Sequence, residues 1–219
     1  DATSGIGVST EQISAMAKDF GKASVFFVNK MDRENADFDK SVESMKNAVD
    51  VNVVPVQLPI GAEADFRGIV DLLANKAYEY ADGKAKEIPI PADMAGAVED
   101  ARIELMEAAA EGDDDLMEKY LDGAELTDDE IKVGMKGAIL QGAAAPILCG
   151  SGFMNIGADL LLDFIAEYLP SPADTMDAAN ADKPFAGLVF KTVTDAFLGK
   201  LSYTKVMQGT LKADLGSIH

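Results

Sequence analysis

The sequence predicts an α/β fold in which a parallel sheet is interrupted by an acidic α+β segment and followed by a β-rich unit. Three observations support this class. Helical and strand-like patterns alternate over roughly the first sixty residues, the strand-like runs are apolar throughout, and acidic residues concentrate between residues 93 and 130. Alternating helices and strands indicate α/β architecture with right-handed crossovers. Apolar runs without polar alternation are typical of strands buried on both faces, as in a parallel sheet.

A helix is predicted first along the chain. Ser9 and Gln12 have the spacing of a capping box, in which Ser9 would be the N-cap. Apolar residues between Ile13 and Phe20 then recur on one helical face. Gly21 follows them, so we expect the helix to stop there.

Two strands and a second helix come next. Residues 23–28 form a continuous apolar run, which predicts a buried strand. Residues 53–58 predict another strand, with Pro55 at its edge or its end. Between them lies a predicted helix whose apolar side consists of Phe38, Val42, Met45 and Val49.

The middle of the chain changes from strands to helices. Short β-like segments are predicted around Gly68 and Asp71. A helix is predicted over residues 94–110, and another begins at a capping box formed by Thr127 and Glu130. The acidic helical stretch is interpreted as an insertion into the α/β unit.

The last third returns to strands. Residues 145–149 predict a buried strand, and residues 156–168 predict a helix with four inward apolar residues, Leu160, Leu161, Phe164 and Ile165. A polar linker is predicted over residues 173–184. Residues 185–192 and 199–209 then have strand patterns separated by a turn.

Negative charge is the main compositional feature. The net charge is −19. The segment from Asp93 to Glu130 contains fifteen acidic residues and only two basic residues, Arg102 and Lys119. Such a segment should repel a phosphate backbone and could attract a basic protein surface. A solvated helical face is the simpler interpretation of the same charges.

The composition also excludes several protein classes. The apolar stretches are short and broken by charges, which argues against a transmembrane helix. Cys149 is the single cysteine, so a disulfide framework is excluded. We expect a soluble, cytoplasmic and monomeric chain that does not bind a membrane.

A polar motif follows the first predicted strand directly. Asn29, Lys30 and Asp32 lie at the carboxyl end of an apolar run, which is where ligands bind in open α/β sheets. A carboxylate at this position can accept hydrogen bonds from N1–H and the exocyclic amino group of guanine, a donor pair that adenine lacks. Asp32 is therefore the candidate base reader, Lys30 can lay its alkyl stem along the base, and Asn29 can brace neighbouring loops.

A small-residue loop follows the later buried strand. Ser151, Gly152 and Phe153 come after Cys149, at a strand end that should lie beside the first. Backbone N–H groups of this loop can reach the guanine O6. Cys149 is interpreted as a packed side chain rather than a nucleophile.

Several longer matches resemble the elongation factor G family. Residues 28–33 read VNKMDR, and further matching segments are 36–38 (ADF), 57–63 (QLPIGAE), 68–72 (GIVDL), 168–172 (YLPSP), 189–192 (VFKT) and 199–201 (GKL). The resemblance spans nearly the whole chain. It implies an incomplete P-loop GTPase-type parallel sheet with an acidic α+β insert, followed by the start of an antiparallel β-barrel domain.

The resemblance also implies ligands, partners and activity. The family uses GTP hydrolysis to move tRNA and mRNA through the ribosome, and its inserted subdomain contacts the ribosomal stalk protein. By match of motif, Asn29, Lys30 and Asp32 contact GTP or GDP at the guanine. Ser151, Gly152 and Phe153 occupy the second guanine loop, where the family usually has Ser-Ala-Phe. Gly152 departs from that pattern, which is expected to loosen the loop.

The domain boundaries expected from the resemblance divide the chain into five parts. These are the GTP-binding domain in two pieces (1–60 and 144–172), the acidic insert (61–143), the linker (173–184) and the start of the barrel (185–219). The sequence contains no Gly-x-x-x-x-Gly-Lys-Ser/Thr phosphate loop. We therefore expect a fragment that does not hydrolyse GTP, with the Mg²⁺ ligands of the intact protein outside it.

Two other functions remain open from the sequence. One is a ribosome-protection protein or release factor of the same superfamily. The other is a non-enzymatic module whose acidic helices bind a basic partner.

Overall fold

The computed structural model describes residues 1–171 and 182–213. The chain forms two compact units that divide after Leu169. The helices are α1 (Val8–Asp19), α2 (Phe38–Ala48), α3 (Ala95–Ala110), α4 (Asp114–Leu121), α5 (Asp128–Gln141) and α6 (Ala158–Tyr168). The strands are β1 (Phe26–Val28), β2 (Asn52–Pro55), β3 (Gln57–Ile60), β4 (Gly68–Asp71), β5 (Lys76–Ala81), β6 (Lys84–Ile88), β7 (Ala144–Cys149), β8 (Ala186–Asp195) and β9 (Gly199–Gln208).

The first unit contains the predicted parallel sheet. Its strand order is β1-β7-β2, and both pairings are parallel. All six residues of the central β7 are buried, which explains why its sequence shows no polar alternation. β1 is shorter than the predicted run of residues 23–28, because its ladder with β7 covers only Phe26 to Val28. Pro55 ends β2 as predicted.

The prediction of one strand over residues 53–58 is wrong. The segment forms two strands, β2 in the parallel sheet and β3 in a separate antiparallel sheet of order β3-β4-β5-β6. Val56 lies between them: its N–H donates to the Ile147 carbonyl and its carbonyl accepts from the Leu72 N–H, each at 3.0 Å. One residue thus bonds to both sheets, and the chain changes sheet there.

The helices α3, α4 and α5 follow the antiparallel sheet. The predicted capping box of α5 is confirmed, since Thr127 and Glu130 each bond the other's backbone N–H. Asp113 caps α4, a helix that was not predicted individually. α3 and α5 pack so closely that a Cβ on Gly134 would lie 2.2 Å from the Ala109 carbonyl oxygen.

Two predicted helices differ from the structure in detail. α1 begins at Val8 with Gly7 as its N-cap, so the predicted Ser9 cap is wrong: Ser9 already lies inside the helix. None of the residues of α1 is buried, and Phe20 after it is 70% exposed. In α6, Phe164 is buried but Ile165 is 40% exposed, because Ile165 lies on the flank of the stripe formed by Phe164 and Tyr168.

The second unit contains the hairpin of β8 and β9. Its turn is confirmed at Asp195–Gly199, where the Asp195 carboxylate accepts from the N–H groups of Phe197 and Leu198 at 2.8 Å each. The predicted linker 173–184 lies largely outside the described residues. In the described ranges, no helix has the length and apolar character needed to cross a membrane.

Candidate functional site

Two loops meet at the carboxyl edge of the parallel sheet. Val28 of β1 pairs with Cys149 of β7, so the residues after each strand emerge side by side. The Gly150 N–H donates to the Val28 carbonyl at 3.0 Å, and the Met31 N–H donates to the Gly150 carbonyl at 3.2 Å. The expectation that the two strand ends are neighbours is confirmed. We call residues 29–33 and 150–154 together the corner.

Asn29 joins the two loops of the corner. Its side-chain Oδ1 accepts hydrogen bonds from the Lys30 N–H at 2.7 Å and from the Gly152 N–H at 3.0 Å. Its backbone carbonyl accepts from the Ala2 N–H at 2.9 Å. Asn29 therefore accepts three hydrogen bonds and links the two loops of the corner, as expected of a bracing residue.

Asp32 is oriented by Ser151. The Ser151 hydroxyl donates to Asp32 Oδ1 at 2.6 Å and accepts from the Met154 N–H at 3.1 Å. Ser151 is fully buried, and the Asp32 side chain is only 9% exposed. Arg33 Nε lies 3.7 Å from the other carboxylate oxygen of Asp32. An ionised carboxylate accepts about four hydrogen bonds, so Asp32 retains acceptor capacity for a ligand.

Lys30 adopts a backbone conformation that is uncommon for a side-chain-bearing residue. Its φ is +67°, in the left-handed region. Its ammonium group lies 2.6 Å from the Asp1 carboxylate, and its side chain is half exposed. Lys30 also lines an open depression of about 480 Å³ together with Thr3, Arg33, Glu34 and Asn35. Asp1 and Arg33 were missed from the sequence, because no pattern marks a side chain that pairs only in the folded chain.

Phe153 and Gly152 form the outer part of the second loop. Phe153 is 83% exposed, and its ring centroid is 5.6 Å from the Arg33 guanidinium carbon, which is a cation–π distance. A Cβ on Gly152 would meet only the Asn29 side chain at 3.7 Å, an ordinary contact. The loop therefore has room for alanine at residue 152.

Cys149 does not contribute reactive chemistry to the corner. Its side chain is completely buried, and burial raises the pKa of its thiol. Among the described residues, no three His, Cys, Asp or Glu side chains are arranged to hold a metal ion. The groups that the corner presents are hydrogen-bonding, charged and aromatic: Asp32, Lys30 and Phe153.

Two comparisons with known proteins identify the family. The family model of the elongation factor Tu GTP binding domain matches residues 1–171. A crystal structure of a protein from Thermus thermophilus is similar with a TM-score of 0.83 and 31% sequence identity. The match covers 96% of this chain and 31% of that chain, so this chain spans about a third of that protein's length. Because the family model matches well over half of its residues, the chain belongs to the elongation factor Tu GTP-binding domain family of translational GTPases.

Proposed function

We propose that the corner recognises the guanine base of GTP or GDP in an elongation-factor-G-like translational GTPase. The observation that supports this most is the hydrogen bond from Ser151 to Asp32. It fixes a carboxylate at the carboxyl edge of the sheet, where nucleotides bind in open α/β folds. The hydrogen bond from the Gly152 N–H to Asn29 holds the second loop of the corner beside this carboxylate.

Asp32 is the proposed reader of guanine N1–H and the exocyclic amino group. A polar site of this kind discriminates strongly, since a wrong base leaves the buried carboxylate without its donors. The Lys30 stem is the proposed support for the base plane, with its ammonium anchored at Asp1.

The backbone of the second loop offers the proposed donor for guanine O6. The N–H of Ser151 bonds the Ile156 carbonyl, and those of Gly152 and Met154 bond Asn29 and Ser151. In the part of the chain that the structure describes, the Phe153 N–H has no such partner. It can bond O6 without breaking an existing bond, and the Gly152 N–H can do so by sharing with Asn29.

The activity and partners of the intact protein are part of the proposal. We propose that it hydrolyses GTP in the cytoplasm, with Mg²⁺ bound by residues outside this sequence, and drives translocation on the ribosome. The segment between β2 and β7 supports a proposed insert, because these two strands pair with each other although the segment separates them. The insert is proposed at 61–143, but the antiparallel sheet that belongs to it begins earlier, with β3 at Gln57. Its acidic helices are the proposed contact for the ribosomal stalk protein.

The base assignment is tested by titrating the ¹⁵N-labelled chain with GMP and AMP. We expect GMP to shift the amide signals of Lys30, Gly152 and Phe153, and AMP to leave them in place. Binding should be only millimolar, since phosphate contacts supply most nucleotide affinity. Asp32→Ala should abolish the response, whereas Asp39→Ala, which removes an exposed acid from the first turn of α2, should keep it. Equal responses of the wild type and Asp32→Ala would refute the assignment.

A further inference from the structure

We infer that the antiparallel sheet positions the corner, and that Glu63, in the turn between β3 and β4, is the residue that does so. The inference rests on the proposed function, because it names what holds the same base-reading loops in place. Neither Glu63 nor its turn belongs to the residues that would touch guanine. Glu63 is therefore argued as a positioning residue.

Glu63 holds the first loop of the corner at two points. Its backbone N–H donates to the Met31 carbonyl at 3.0 Å. Its carboxylate Oε1 accepts from the Asn35 N–H at 2.7 Å. Met31 lies between the two proposed base contacts, Lys30 and Asp32, and Asn35 lies just beyond them. One residue of the antiparallel sheet's connecting turn thus bonds the loop on both sides of Asp32.

The Met31 side chain adds an apolar attachment to the same sheet. It is completely buried in a cluster that includes Phe66 from the turn between β3 and β4, Ile69 from β4, and Ile156, which follows the second loop. The loop is therefore attached to the antiparallel sheet by a backbone bond, a side-chain bond and a buried side chain.

Glu63, its partner Asn35, and Lys30, which precedes its partner Met31, share an unusual backbone conformation. Glu63, Lys30 and Asn35 have φ values of +54°, +67° and +64°. Left-handed conformations at residues other than glycine persist when surrounding contacts over-determine them, and they cluster at functional sites. Gly61 makes the turn itself tight, since a Cβ there would lie 2.0 Å from the Asp65 carbonyl oxygen. The backbone conformation of the turn and that of the first loop of the corner are therefore coupled through the hydrogen bonds of Glu63.

The segment that follows the second loop of the corner contacts the same sheet. The Asn155 side chain donates to the Gly83 carbonyl, in the turn between β5 and β6, at 3.3 Å. The Tyr80 hydroxyl of β5 donates to Asp159 at 2.6 Å, just after the loop. Because the first loop and the segment after the second loop both contact one sheet, a displacement of that sheet would change the spacing between Asp32 and the Phe153 N–H.

The test compares three variants of the 219-residue chain. Glu63→Ala removes the carboxylate that holds Asn35, whereas Glu63→Gln keeps an oxygen that can accept from the same N–H. Asp65→Ala is the matched control: it removes an acid from the same turn, and within the described residues the Asp65 side chain makes no hydrogen bond or ion pair. Each variant is measured for GMP affinity, for corner amide signals without ligand, and for its unfolding midpoint.

We expect Glu63→Ala to weaken GMP binding about fivefold and to shift the Lys30, Asp32 and Asn35 amide signals without ligand. Glu63→Gln should restore both properties to within about twofold, and Asp65→Ala should match the wild type. If Glu63→Ala behaves like Asp65→Ala in both measurements, the positioning role is refuted. A loss of affinity that merely follows a lowered unfolding midpoint, without rescue by glutamine, also refutes it. If the wild type does not bind GMP, the proposed function fails, and the ligand-free amide signals still decide the role of Glu63.

Discussion

The close packing of α3 against α5 allows a prediction for glycine-to-alanine substitutions. The substitution should destabilise the chain at the contact between the two helices and should not do so at an exposed helical glycine. Gly134 in α5 faces Ala109 of α3, and a Cβ added to it would lie 2.2 Å from the Ala109 carbonyl oxygen and 3.0 Å from Leu116 Cδ1. The nearest atom belongs to a backbone carbonyl, which cannot rotate away as a side chain can. Gly134→Ala must therefore push the two helices apart.

The magnitude follows from two opposing contributions. Overpacking a well-filled core costs about 1–3 kcal/mol, and the rigid neighbour puts this site at the upper end, about 3 kcal/mol. Alanine is favoured over glycine inside a helix by about 1 kcal/mol. We expect Gly134→Ala to lower the free energy of unfolding by about 2 kcal/mol, by difference.

Gly96 in α3 is the matched control. It is exposed, and a Cβ on it would meet nothing within 4 Å. Gly96→Ala should therefore not lower the free energy of unfolding, and should raise it by at most about 0.5 kcal/mol, since Gly96 lies in the first turn of α3. The assay is urea unfolding at 25 °C followed by far-ultraviolet circular dichroism, with hydrogen exchange of the α5 amides as a local measurement. A Gly134→Ala chain as stable as Gly96→Ala would refute the packing described for these helices.

Three further predictions concern the α5 capping box and the buried thiol. Thr127→Ala should lower the free energy of unfolding by about 1 kcal/mol in the same urea assay, because it removes an N-cap bond. Hydrogen bonds from Lys119 and Thr127 lower the pKa of Glu130 to about 2. The ionised Glu130 side chain should therefore stabilise the fold fully above pH 4.5, its ordinary pKa, and lose this effect as the pH falls to about 2. The difference in Tm between the wild type and Glu130→Gln should shrink between these two pH values. Burial raises the pKa of Cys149, so a thiol reagent at pH 8 should react with it only after urea unfolding.

Much of the parallel sheet could be predicted because local sequence dictates it. The unbroken apolar run in β7 indicates burial on both faces, and the polar motif after β1 marks a strand end. Asp32 and Ser151 are then expected to lie close together, because the carboxyl ends of parallel strands meet at one edge of the sheet. The roles of these residues toward guanine are still predictions.

The errors come from features that only the folded chain determines. Residues 53–58 are uniformly β-forming, so nothing local shows that Val56 separates two sheets. β6 was missed because its residues are charged and mostly exposed, without an alternating apolar face. In α1, Gly7 rather than Ser9 is the N-cap, a choice that depends on the backbone conformation of the preceding loop. The positioning role of Glu63 has no signal in the sequence: Glu63 lies in a segment that matches the family, but its contacts with Met31 and Asn35 are tertiary.

The bond between Ser151 and Asp32 has a consequence for the order of folding. It joins residues separated by 119 positions, with the antiparallel sheet and four helices, α2 to α5, between them. Contacts this distant in sequence form slowly, because the entropy of closing a long loop must be overcome first. The hairpins of β4, β5 and β6 are local and can form early. During synthesis the first loop cannot pair with the second until the second has been made, so we expect the corner to be among the last parts of the first unit to form.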